Sequence, residues 1–213
     1  VQTCALPICD YNYVFDPNAH LKRFFSEGSK GEYLFLIDEA HNLVERGREM
    51  YSAVLYKEDV LEMKRLVKPD APGLAKRLDE CNRQLLALKR ECENYQVLDN
   101  VSYIAVKLMN IMSGIEEYLE KVQEEEKREQ ILNFYFQLRN FLSIHDILDE
   151  NYVIYTEFER DGRFKLKLFC VNPAVNLRTY MDQGNSTVFF SATLLPMHYY
   201  KQLLSEAKDY AIY

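Results

Sequence analysis

Asp38 and Glu39 stand directly after the apolar run Leu34-Phe35-Leu36-Ile37, with His41 two residues further on. Adjacent carboxylates at the end of a strand suit nucleotide chemistry. Asp38 would hold Mg²⁺ through water, and Glu39 would orient or deprotonate the water that attacks a γ-phosphate. His41 would sit close enough to sense that phosphate. The competing reading is that the two acids cap a helix over 42–50, because carboxylates favour a helix N-terminus. The strand itself follows from four apolar residues between Gly31 and the acids. That pattern predicts a segment buried on both faces, in a parallel sheet covered by helices. Ligands of such sheets bind beyond the carboxyl ends of the strands, where Asp38 and Glu39 emerge.

Asp38-Glu39-Ala40-His41 resembles motif II of superfamily 2 helicases. Phe189-Phe190-Ser191-Ala192-Thr193-Leu194 resembles their motif III, which links ATP hydrolysis to DNA movement. The two lie about 150 residues apart, and a long insertion at this place is the mark of the DinG/XPD-like branch. The stretch from Ile8 to Pro17 resembles the Tyr-Asn-Tyr segment that precedes motif II in that branch, and Cys170-Val171-Asn172-Pro173 with Leu177 resembles its segment before motif III.

The resemblance implies an α/β fold: part of a P-loop (RecA-like) helicase motor domain with a large helical arch domain inserted. Residues 1–56 would belong to motor domain 1, residues 57–150 to the arch-like insertion, and residues 151–213 to the return through a hairpin and motif III towards motor domain 2. It also implies ATP hydrolysis coupled to 5′-to-3′ translocation on single-stranded DNA and to unwinding, in DNA repair or replication. ATP and Mg²⁺ would serve it. On this resemblance Asp38, Glu39 and His41 are catalytic, while Ser191, Ala192 and Thr193 couple hydrolysis to the DNA track through hydroxyls that reach His41 or the acids. A Ser/Thr helix cap is the plainer reading of that segment. Tyr11, Asn12 and Tyr13 are further candidates, for stacking on bases and bonding a DNA backbone, with burial as their ordinary alternative.

No Gly-x-x-x-x-Gly-Lys-Ser/Thr phosphate loop occurs in the sequence, so nothing here is expected to cradle the β- and γ-phosphates. The helicase motifs V and VI are missing as well. The chain thus resembles an internal piece of a helicase and is expected to be inactive in ATP hydrolysis by itself. The alternatives are a DinG-like nuclease and a non-catalytic helical interaction module on a degenerate helicase scaffold.

The resemblance also raises a [4Fe–4S] cluster, which needs four converging thiolates. Of the five cysteines, Cys4 is a candidate remnant ligand, and Cys9 reads as a small buried thiol in a strand. Cys81 and Cys92 share a helix face without partners at metal-site spacing, and Cys170 reads as core. The complete protein is a candidate to carry a cluster; this chain is not expected to. His145-Asp146 lacks the further ligands of a metal-dependent phosphohydrolase.

The chain is 213 residues long and 48% hydrophobic, with a net charge of −7. It can bury a sizeable core. The charge argues against a generally basic nucleic-acid coat, although a local groove can hide within the total. With no membrane-length apolar run and no signal-peptide pattern, no membrane partner and a cytoplasmic location are expected.

The elements expected around the site are strands over 6–15, 32–38 and 186–190, a short helix within 17–25, and a hairpin over 152–159 and 163–170 turning at Asp161-Gly162. Between them, helical periodicity predicts helices over 57–67, 74–95, 101–122 and 131–148, packed as an antiparallel bundle, with Pro72-Gly73 as a breaker. Lys64, Arg65, Lys68, Lys76, Arg77, Arg83, Lys89 and Arg90 could line a phosphate-binding stripe, but they alternate with acids. Glu124 to Glu126 read as a solvated face.

Overall fold

A computed structural model describes residues 7–25, 30–205 and 209–212. The chain divides into two compact units, one formed by the residues up to Tyr51 and from Cys170 onward, the other by Ser52–Phe169. Unit 1 begins with α1 (Asn12–Phe15), α2 (Lys22–Phe25), β1 (Leu34–Ile37) and α3 (His41–Met50). Unit 2 follows with β2 (Ala53–Tyr56), α4 (Lys57–Val67), α5 (Pro72–Glu91), β3 (Tyr95–Leu98), α6 (Ser102–Leu119), α7 (Glu125–Asp146), β4 (Tyr152–Phe158) and β5 (Phe164–Cys170). Unit 1 resumes with α8 (Ala174–Met181), β6 (Ser186–Phe189) and α9 (Met197–Leu204).

Unit 2 is built on the helical stripes. Leu74, Leu78, Cys81, Leu85 and Leu88 along α5, and Ile104, Leu108, Ile111 and Ile115 along α6, are all buried. Their spacing of three and four residues puts them on one side of each helix. Helix α4 packs on α5, α5 on α6, α6 on α7, and α7 returns to α4, which closes the expected bundle. The four-stranded sheet has the order β2-β5-β4-β3. Its Leu55, Phe164, Leu166 and Leu168 share one core with the helices, each such side chain worth about 1.5–3 kcal/mol of burial. The hairpin turns where expected: Gly162 takes φ +83°, and Asp161 Oδ1 accepts the Arg163 amide at 3.0 Å.

Three expectations shift here. The unit boundaries fall at 51/52 and 169/170, not at 56/57 and 150/151, because β2 pairs antiparallel with β5, Ala53 opposite Leu168, and both strands face the helices' core. The break between α4 and α5 falls where expected, but Pro72 and Gly73 lie in the first turn of α5 and not before it, since that turn has no use for the missing N–H of proline. Finally, α5 ends at Glu91 with Cys92 extended as its cap, so Tyr95 begins a strand that helical periodicity had concealed.

Unit 1 contains a parallel pair, β1 with β6, in register from Leu34↔Ser186 to Ile37↔Phe189. Phe35 and Ile37 are buried, whereas Leu34 and Leu36 are 59% and 55% exposed. The expected burial on both faces is therefore corrected to burial on one, with Val188 on β6 exposed as well. Phe25, Tyr33 and Phe35 form an aromatic cluster with ring centroids 5.6 to 6.2 Å apart. The strand expected over 6–15 is also corrected: Asn12–Phe15 is a helical turn. Asp10 Oδ1 accepts the Asn12 amide at 3.0 Å and Asp16 Oδ1 accepts the Asn18 amide at 2.8 Å. Such side-chain turns compete with strand pairing and win here. Among the described residues, no helix is long and apolar enough to cross a membrane.

Candidate functional site

The site lies at the carboxyl ends of β1 and β6 in unit 1. The pairing continues past the strands: the Phe190 amide donates to Ile37 O at 3.0 Å and the Ala40 amide to Phe190 O at 3.2 Å. Residues 38–41 and 190–193 are thereby laid side by side.

Glu39 has φ +46°, the left-handed region that costs an L-residue about 1–3 kcal/mol. Hydrogen bonds hold it there. Asp38 Oδ1 accepts the Glu39 amide at 2.7 Å, the Asn42 amide donates to Glu39 O at 2.9 Å, and the Tyr11 hydroxyl donates to Asp38 O and, at 3.1 Å, to Glu39 O. Burial and the charges of Asp38, Glu39 and Asp10 raise the Tyr11 phenol above its ordinary pKa.

This backbone turn brings the Glu39 carboxylate to His41 and the motif opposite. Ser191 Oγ donates to Glu39 Oε2 at 3.2 Å, and His41 Nδ1 is 3.1 Å from the same oxygen. His41 Nδ1 also lies 2.8 Å from Ser191 Oγ and 3.1 Å from Thr193 Oγ1, while the Thr193 amide donates to Ser191 Oγ at 3.2 Å. A single imidazole nitrogen therefore shares its proton position among a carboxylate and two hydroxyls. In the neutral ring it either donates to Glu39 or accepts from a hydroxyl, so moving one proton redirects the cluster. The cluster is accessible, with Glu39 56% and His41 30% exposed in their side chains. Ala192, between the two hydroxyl residues, is exposed.

The capping alternatives do not describe this geometry. Helix α3 has Ala40 as its N-cap, with no side-chain cap bond, and Asp38 serves the Glu39 amide instead. Ser191 turns its hydroxyl to Thr193, and α9 begins later with Pro196 as its cap.

Of the aromatic segment, Tyr11 bonds the backbone of 38 and 39, Asn12 Oδ1 accepts from Arg46 Nη2 at 3.2 Å, and Tyr13 is 48% exposed. Sequence reasoning did not find Tyr11's part in bracing the acids, nor the left-handed Glu39; an Asp-Glu pair carries no signal for either.

Asp38 is exposed, and the one bond its carboxylate makes among the described hydrogen bonds is to the next amide. Among the described residues, no group of three or more His, Cys, Asp or Glu is gathered to hold a metal ion. A lone accessible carboxylate fits magnesium, which draws most of its shell from water and phosphate. The cysteines do not fit a four-thiolate cluster. Cys4 lies outside the described residues; Cys9 is exposed and outside any strand, correcting the buried reading. Cys81, Cys92 and Cys170 are buried, Cys81 with a thiol pushed up by burial to about 12.

Three residues of the basic stripe are paired with acids within unit 2. Lys64 meets Asp79, Lys89 meets Glu58 at 3.1 Å, and Arg83 meets Asp79 at 3.5 Å. Arg77 donates to Asn110 O at 2.8 Å. Compared with models of known protein families and with curated proteins, the chain matches none.

Proposed function

We propose that this chain is the Asp-Glu-Ala-His-bearing part of an ATP-dependent DNA helicase motor of the DinG/XPD-like kind, with unit 2 in the position of the inserted arch. The observation that carries the reading is the hydrogen-bonded cluster of Glu39, His41, Ser191 and Thr193, drawn from two segments that the sequence resemblance had already paired. Glu39 orients the attacking water, His41 fixes the Glu39 carboxylate, and Ser191 and Thr193 pass the state of that carboxylate to the strand that carries them. Asp38 would hold Mg²⁺ together with the phosphates of ATP, where the ion supplies charge neutralisation. The left-handed Glu39 supports the same reading, because strain of this kind gathers at functional sites.

With no phosphate loop in the sequence, this chain alone gives no ATP hydrolysis on the proposal. The test is ATP turnover, with and without single-stranded DNA, by the polypeptide that joins this chain to a phosphate loop. Glu39→Gln keeps size and removes the charge, and turnover is expected to fall by about 10²- to 10⁴-fold. Turnover that survives removes Glu39 from the mechanism. No turnover from the folded wild type moves the reading to a non-catalytic interaction module.

A further inference from the structure

We propose that the free edge of β3 in unit 2 is a docking site for an extended peptide bearing basic side chains, which adds to the sheet as a further strand. The inference is independent of the helicase reading.

Strand β3 is the outermost strand of its sheet. Its register with β4 pairs Tyr95 with Glu157 and Val97 with Tyr155, and the Phe158 amide donates to Asn94 O at 3.3 Å. In an antiparallel ladder the bonded positions alternate. Asn94, Gln96 and Leu98 therefore bond inward to β4, and the N–H and C=O groups of Tyr95 and Val97 face the open edge. The same two residues are 71% and 59% exposed. Exposed edges are ordinarily blunted by lysine, proline or a bulge, and Tyr95-Gln96-Val97-Leu98 has none of these. An apolar edge with unused backbone groups is the form that strand addition requires.

Charge selects the occupant. A cleft of about 440 Å³ opens where β3 gives way to α6, and Val97, Asp99, His145, Asp149 and Tyr152 are among its lining. Asp149 accepts from Asn151. Neither Asp149 nor Asp99 takes part in any described ion pair, and nor does Glu93 just before the strand. Other acids of unit 2 do carry a lysine: Lys64 meets Asp79, Lys89 Glu58, Lys107 Glu80 and Lys165 Glu157. An apolar strand edge with an uncovered carboxylate at each end complements a peptide of alternating apolar and basic residues, and it repels nucleic acid.

The probe is an acetylated hexapeptide of alternating valine and lysine, added to the full chain. Amide hydrogen exchange at Tyr95 and Val97 is expected to slow by about tenfold or more at saturation. Binding should weaken by about tenfold in Val97→Lys, which places a cation on the edge at an exposed position. Should that variant fail to fold, Asp99→Asn with Asp149→Asn carries the test, by weakening binding and reducing its salt dependence. The proposal is overturned if exchange at Tyr95 and Val97 does not slow. It is equally overturned if a valine–glutamate peptide or an N-methylated valine–lysine peptide binds as well, or if sedimentation shows that self-association of the peptide-free chain already protects the edge.

Discussion

The acids at the strand ends of unit 1 and the lysine-paired acids of unit 2 are held in opposite ways. In unit 2, Glu58, Asp79, Glu80, Glu157 and Glu159 meet lysines, and Lys165 is the extreme: burial pushes it down, yet its bonds to Glu157 and Glu159 hold it above its ordinary pKa. In unit 1, Asp38 and Glu39 meet neither lysine nor arginine among the described ion pairs. Glu39 is held by an imidazole and a hydroxyl, on backbone bent into the left-handed region. A carboxylate already paired with a lysine has its charge answered within the fold. Charge braced by weak donors, and left accessible, can still respond to a ligand.

The strongest way to sharpen that contrast is to damage unit 2 where packing alone holds it. Phe164 is fully buried, against Phe158 at 5.4 Å between ring centroids. Phe164→Ala should lower stability by about 3–5 kcal/mol in urea unfolding, and a loss below about 1 kcal/mol would mean that sheet and bundle do not share one core.

A smaller effect concerns Glu58. Burial raises its pKa, but the Phe164 amide and Lys89 outweigh that and hold it below the ordinary carboxylate value. A carboxylate depressed in the folded state contributes stability above its unfolded value and loses it as pH falls through the folded one. Glu58→Gln should therefore cost about 1 kcal/mol near neutrality and flatten the fall in stability below pH 4.5. Urea midpoints measured across that range check both; an unchanged pH slope would exclude Glu58 as its source.

The smallest effect has the opposite sign. Glu39→Gly removes the side-chain penalty at φ +46° and should stabilise unit 1 by about 0.5–1 kcal/mol after the added flexibility of glycine is counted, while Glu39→Gln leaves stability unchanged. A destabilised glycine variant in thermal unfolding would break the claim that unit 1 holds strain where unit 2 does not.

The sequence made the periodic parts legible. The bundle, the Asp161-Gly162 hairpin and the strands at Leu34–Ile37 and Ser186–Phe189 all follow from apolar spacing and turn chemistry. The hydroxyls of Ser191 and Thr193 were expected to reach His41 or the acids: Ser191 bonds Glu39, and Thr193 lies against His41. What escaped was tertiary. The four-residue strands at Ala53–Tyr56 and Tyr95–Leu98 are too short for a period to show, and the Asp10 and Asp16 side-chain turns replaced an expected strand with a helical turn. Exposure of Leu34 and Leu36 depends on what covers a strand, which its own residues do not encode.

The pairing of Ala53 with Leu168 bears on the order in which the molecule folds. The first and last strands of unit 2 lie side by side, so the long segment that separates the two halves of unit 1 begins and ends at one point. Once unit 2 has formed, bringing β1 to β6 no longer means closing a loop of some 150 residues. The remaining chain closes as a short one, and the entropy of that search falls accordingly. The hydrogen bonds from Ser191 to Glu39 and His41 span a great length of sequence and yet are kinetically local.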